Sequence, residues 1–130
     1  NLNMVDKRRV LAEFRYYDEP TLDSQLPITL SNGFVVVAIN GACPLCKKEI
    51  AQYKIKGTVA LPLPTVLTFD ANAVCDECKC IFPLYGRIRA KNKTAQIERL
   101  ENGRWVFYSH NALVDKFKLS LNWLTRFFKD

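Results

Sequence analysis

Histidine is nearly missing from this 130-residue chain, which has one, His110, and methionine is as rare. A single imidazole excludes metal sites built on several histidines. At the end of a strand-like segment His110 reads as structural or exposed rather than as a substitute ligand or a catalytic base. No H-E-x-x-H, no G-x-S-x-G and no phosphate-cradling glycine loop occurs, so the chain offers no motif for hydrolysis or nucleotide chemistry. No apolar run approaches the roughly 18 residues that a spanning helix needs, and no leader-like charged and apolar pattern opens the chain. The expectation is one soluble domain over residues 1–130, long enough to bury a core without disulfides.

Cysteine is what the chain does have. All five lie between Cys43 and Cys80, as C-P-L-C (Cys43, Cys46), C-D-E-C (Cys75, Cys78) and the extra Cys80. A thiolate pair at i, i+3 in a tight turn aims both sulfurs at one ion, and two pairs supply the four ligands of a tetrahedral Zn²⁺. Cys43, Cys46, Cys75 and Cys78 are therefore the expected ligands of one zinc per chain, with iron as the alternative metal. Four thiolates leave no open coordination position, which disfavours hydrolytic metal catalysis, and the chain is not expected to be an enzyme. Cys80, two residues past Cys78, is expected behind the ligands, in place of one of them, or as a small buried hydrophobe. The odd count and close spacing argue against a disulfide framework and for a reducing, intracellular compartment. The 28 residues between Cys46 and Cys75 exceed the usual gap and must hold structure of their own, expected to be a hairpin.

Both halves share more than cysteines. C-P-L-C-K precedes Tyr53-Lys54-Ile55-Lys56, and C-D-E-C-K precedes Tyr85-Gly86-Arg87-Ile88-Arg89. Over roughly residues 34–89 this resembles the broad zinc-ribbon and rubredoxin-like class, in which two C-x-x-C knuckles at hairpin tips share a metal. The resemblance implies a structural four-cysteine site with short strands beneath it. The chain departs from that class in carrying Lys47 and Lys79 where many knuckles place glycine.

Along the chain, Asn3 to Tyr17 has helical spacing in Val10, Leu11, Phe14 and Tyr17, and residues 18–27 form an acidic connector. Ile28-Thr29-Leu30 and Phe34 to Ile39 flank Ser31-Asn32-Gly33 as a hairpin whose second strand, apolar on both faces, should be central. Further strands are expected over residues 54–60, 65–69, 80–90, 94–100 and 104–108. Leu61-Pro62-Leu63-Pro64 should be an edge or a rigid turn. Leu113, Phe117, Leu121, Leu124 and Phe128 make one stripe over Asn111 to Lys129, which predicts an amphipathic C-terminal helix packed on the sheet. Trp123 and Phe127 beside basic residues also allow that helix to insert at a membrane surface. The predicted class is α+β: an N-terminal helix and connector (1–27), a β meander with the four-cysteine site (28–108) and a C-terminal helix (109–130).

The formal charge of +6 is uneven: −1 over residues 1–30, +1 over 31–80 and +6 over 81–130. Lys54, Lys56, Arg87, Arg89, Lys91 and Lys93 alternate with apolar residues and are expected to share a solvent face, with Tyr53, Tyr85 or Trp105 available for base stacking. This makes nucleic acid the expected partner, and a protein partner the alternative. One enzymatic reading stays open: the apolar strand before C-P-L-C-K resembles the approach to a glutaredoxin active site, and Pro64-Thr65 resembles the segment facing it. The 17 residues between Cys46 and Pro64 are few for that fold. A rubredoxin-like electron carrier is the remaining alternative.

Overall fold

Alternation of side chains organises most of the backbone. In the strand Val66–Cys75 the odd-numbered Leu67, Phe69, Ala71 and Ala73 are buried, and in its partner Cys80–Lys91 Phe82, Leu84 and Ile88 are. A period of two gives each strand one face to hide, and burying a side chain of this size is worth about 1.5–3 kcal/mol. The computed structural model describes residues 15–108 and 112–123, most of them in strands, bridges and turns.

The nine strands in chain order are β1 (Ile28–Thr29), β2 (Val35–Gly41), β3 (Ile55–Leu63), β4 (Val66–Cys75), β5 (Cys80–Lys91), β6 (Thr94–Glu101), β7 (Arg104–Phe107), β8 (Ala112–Asp115) and β9 (Lys118–Trp123). They form two sheets. One is an antiparallel meander in the order β3-β4-β5-β6-β7; the other runs β1-β2-β9-β8, with β2 and β9 parallel. Both sheets contribute to one buried cluster: Val36, Ile39, Leu119, Leu121 and Trp123 from the smaller sheet, with Leu67, Phe69, Phe82 and Leu84 from the meander. Where they meet, Trp123 stands edge-on to Phe69 at 5.2 Å between ring centroids and stacks on Tyr108 at 4.8 Å. Gly86 faces that indole, and a Cβ there would come within 2.6 Å of Trp123 Cη2 and 2.9 Å of Phe69 Cζ.

The hairpin around Asn32-Gly33 forms, and β2 is an interior strand as expected. The segment between the two cysteine pairs holds the β3–β4 hairpin, and Pro62 lies on β3, an edge strand whose ladder slips between Ala60 and Leu63. The α+β expectation is corrected: no helix of seven or more residues occurs among the described residues. Residues 112–123 of the expected C-terminal helix form the β8–β9 hairpin instead, and residues 124–130 lie outside the described residues. Leu119, Leu121 and Trp123 are buried while Leu113 and Phe117 are exposed, so the alternation overrides the four-residue spacing of Leu113, Phe117 and Leu121. Lys116 and Phe117 turn the chain with φ of 49° and 68°. With Trp123 in the core, insertion of this segment at a membrane surface is set aside. The expected N-terminal helix, but for residues 15–17, and His110 lie outside the described residues.

Candidate metal centre

The two C-x-x-C pairs come from different sheets. The first follows β2 directly. There the Lys47 amide donates to the Cys43 carbonyl at 2.8 Å, the Cys43 amide to Lys48 and the Ile50 amide to Gly41, so residues 41–50 close on themselves as a knuckle. The second pair is the β4–β5 turn, closed by the Cys75–Cys80 rung of the ladder. The lysine directly after the second cysteine serves the same purpose in both knuckles: Lys47 has φ of 65° and Lys79 φ of 52°, the left-handed backbone that glycine usually supplies. Beyond these turns the two halves diverge, because knuckle one leads through a single 3₁₀ turn (Gln52–Lys54) to β3 whereas knuckle two opens straight into β5.

The Sγ atoms of Cys43, Cys46, Cys75 and Cys78 all lie within 4.8 Å of one another. Cys46 and Cys75, from opposite knuckles, are 3.8 Å apart. A tetrahedral zinc with Zn–S bonds of about 2.3 Å sets its sulfurs about 3.8 Å from each other, so this donor set fits such an ion. Cys43 and Cys75 are buried, Cys46 and Cys78 half-buried, and all five cysteines are free thiols. The Sγ of Cys80 is 3.8 Å from that of Cys43.

The knuckles are also held together by charge. The acidic pair inside C-D-E-C faces two lysines: Glu77 accepts from Lys48 Nζ at 2.8 Å, and Asp76 is paired with Lys54. The thiols themselves titrate unevenly. Burial pushes Cys43 up, but the amides of Cys46 and Leu45 and the neighbouring thiols of Cys46 and Cys75 outweigh it and bring it down to about 6. Cys78 is pushed up to about 12, by desolvation first and then by hydrogen bonding with Cys46, Cys43 and Cys75; Cys80 is pushed to about 11, by burial first and then by Cys43. Such a set yields one thiolate readily and resists the next, a repulsion that a bound divalent cation relieves.

The six basic residues expected on one open face are not brought together as one. Arg87 and Arg89 both reach Glu98 Oε1, at 2.6 and 3.2 Å, and Glu98 is buried. Lys54 is held by Asp76, Lys56 lies over the Tyr16 ring, and Lys91 and Lys93 are exposed around the β5–β6 turn. The face bearing Arg87 does carry aromatics: Tyr85 stacks on Trp105 at 5.7 Å, and the Arg87 guanidinium lies 4.4 Å from the Trp105 ring centre. Sequence reasoning missed the carboxylates that neutralise these cations. For Asp76 and Glu77 the signal was present, in the acidic interior of C-D-E-C.

No family model matches the chain, and no curated protein or solved structure shows significant similarity to it. The glutaredoxin reading requires a helix at its first cysteine, and residues 43–50 form a turn. Among the described residues no helix is long and apolar enough to cross a membrane.

Proposed function

We propose that the protein is a structural zinc protein in which Cys43, Cys46, Cys75 and Cys78 bind one Zn²⁺ and the ion ties the two sheets together at one end. The observation that carries this is the meeting of four sulfurs from two separate knuckles within 4.8 Å of one another, one pair across the knuckles already at the 3.8 Å of a tetrahedral thiolate site. Iron is the competing metal, since four thiolates suit it as well. Zinc sites of this kind contribute about 10–16 kcal/mol in zinc-finger peptides, more than most domains have to spare, so losing a ligand should unfold the chain. The test is metal analysis of the purified protein with Cys43→Ser and Cys78→Ser beside it. About one zinc per chain, and loss of both metal and fold in the variants, is expected. Less than about half an equivalent of zinc, or an intense visible iron–thiolate colour, refutes it.

A second reading gives this scaffold a partner. Residues 83–107 carry six of the basic side chains against two acidic ones, beside the exposed rings of Tyr85 and Phe107. The reading is weak, sequence-tolerant binding of single-stranded nucleic acid, with the exposed Lys91 and Lys93 toward phosphates and the rings toward bases. Affinity should then fall with salt at a log–log slope of about −0.7 per phosphate neutralised. Lys91→Glu with Lys93→Glu should weaken binding while zinc content is unchanged. Absence of binding at low salt would favour a protein partner for this face.

A further inference from the structure

A sheet edge presents unpaired amides and carbonyls, and folds that stay apart from other chains cover such edges, shorten them or charge them. Residues 20–25 cover β3. The Leu22 amide donates to the Ile55 carbonyl, the Gly57 amide to Pro20, and the Gln25 side chain accepts from the Val59 amide and donates to the Gly57 carbonyl. β1 is two residues long, and β7 begins on the cation Arg104. β8 has none of these devices. It pairs only with β9 among the described residues, and its one charge, Asp115, lies at the turn. Leu113 and Val114 point to opposite faces, yet they are 70% and 54% exposed. A strand that is apolar on both faces belongs inside a sheet.

The register of the β8–β9 hairpin identifies the groups at that edge. Lys116 and Phe117, both at positive φ, make a two-residue turn, so Asp115 and Lys118 exchange backbone hydrogen bonds and so, two residues on, do Leu113 and Ser120. The amides and carbonyls of Ala112 and Val114 therefore point away from β9, out of the sheet edge.

We propose that a second copy of the chain adds its own β8 to this edge, antiparallel, giving a two-fold dimer in which the four strands of each copy join into one sheet. A two-fold axis normal to the sheet pairs residues on the same face, so it passes through one residue of β8. On Asp115 it would set two carboxylates against each other. On Val114 it sets Asp115 against Leu113 and brings Ala112 to the turn residue Lys116, which wastes the outward groups of Ala112. On Ala112 it carries Leu113 and Val114 past the described end of the strand. On Leu113 the demands agree: Leu113 meets its own copy, each Ala112 exchanges two hydrogen bonds with Val114 of the second copy, and the outward amides and carbonyls are all used. Small then faces large on the core side, where Ala112 already packs against the buried cluster. The two Asp115 residues end about 13 Å apart, beyond the screening length of about 10 Å at 0.1 M salt. An edge of this length makes a small interface, so the dimer is weak and depends on concentration.

Sedimentation equilibrium of the full purified chain, from about 5 to about 500 μM, should show a reversible monomer–dimer equilibrium. Leu113→Glu, at an exposed position, places two carboxylates face to face across the axis and should weaken the dimer at least about tenfold. Val114→Pro deletes an outward amide and none that serves β9, and should do the same. Circular dichroism checks that both variants stay folded, and Leu113→Glu with the crosslink below decides should the proline unfold the hairpin. The crosslink reads the register. In a non-hydrogen-bonded pair the two Cα atoms stand about 4.5 Å apart, within disulfide reach, so mild oxidation of Leu113→Cys should join two chains while wild type and Asp115→Cys stay single. A monomer throughout the concentration range overturns the proposal and leaves the edge to a strand from another protein. A dimer that Leu113→Glu leaves intact, or that Asp115→Cys links as readily as Leu113→Cys, overturns it as well.

Discussion

Replacing Lys47 or Lys79 with glycine should stabilise the protein, although each change deletes a whole side chain. Both lysines sit at the fifth position of a C-x-x-C-K turn with φ of 65° and 52°. Both side chains are exposed, and neither has an ion-pair partner among the described residues. Holding a residue with a Cβ in the left-handed region costs about 1–2 kcal/mol. Glycine relieves that cost but frees the unfolded chain, which returns roughly 0.5–1 kcal/mol. The net gain is about 0.5–1 kcal/mol at each site. The double variant should gain about 1–2 kcal/mol, the sum of the two, altered only by whatever coupling runs between turns that share one centre. With a urea slope of about 2 kcal/mol per molar, the midpoint should rise by roughly 0.3–0.5 M for a single variant. The assay is equilibrium unfolding at fixed free zinc, read by the fluorescence of Trp105 and Trp123, since any metal that binds only the folded chain would shift the midpoint by mass action. Lys93→Gly, at an exposed position without positive φ, is the control and should lose stability. If Lys47→Gly and Lys79→Gly fall with that control, the knuckles are not strained and the reasoning fails.

Gly86→Ala should destabilise by about 1–3 kcal/mol, because the added methyl would strike Trp123 and Phe69 where the two sheets meet; a shift in tryptophan emission should accompany the lowered midpoint. Asp70→Asn should raise stability at neutral pH. Burial, ahead of the Glu19 charge, raises the folded-state pKa of Asp70, with Arg15 opposing it. Ionisation therefore costs stability as pH climbs through and above the ordinary carboxylate range, and the gain should vanish below pH of about 4. An Asp70→Asn protein less stable than wild type at pH 7 would contradict this. Glu98→Gln should cost about 2 kcal/mol by leaving Arg87 and Arg89 without their shared carboxylate, measured by the same urea titration.

What could be read from the sequence was what is decided locally. Asn32-Gly33 sets its hairpin through backbone freedom, and the i, i+3 spacing of the cysteines sets two knuckles that need no distant information. The C-terminal helix failed because Leu113, Phe117 and Leu121 satisfy a helical period while Leu119, Leu121 and Trp123 satisfy a strand period. What decides between them is the open edge of β2, some eighty residues earlier in the chain. The turn at Lys116-Phe117 has no glycine or asparagine to announce it. The basic face failed for a related reason: the alternation of Arg87, Ile88 and Arg89 was legible, but the partner Glu98 is supplied by β6 through a register that composition does not reveal.

The parallel pairing of β2 with β9 also imposes an order in time. As the chain leaves the ribosome, β3 to β7 can zip as successive hairpins, and both cysteine knuckles are complete by Cys78. Strand β2, with only the two-residue β1 against it, keeps its other edge bare until residues 118–123 arrive. Such distant pairing is slow, and an unpaired strand edge invites pairing with other chains. A zinc ion captured early would hold β2 beside the finished meander through this interval, so metal supply during synthesis should govern the yield of folded protein as well as its final stability.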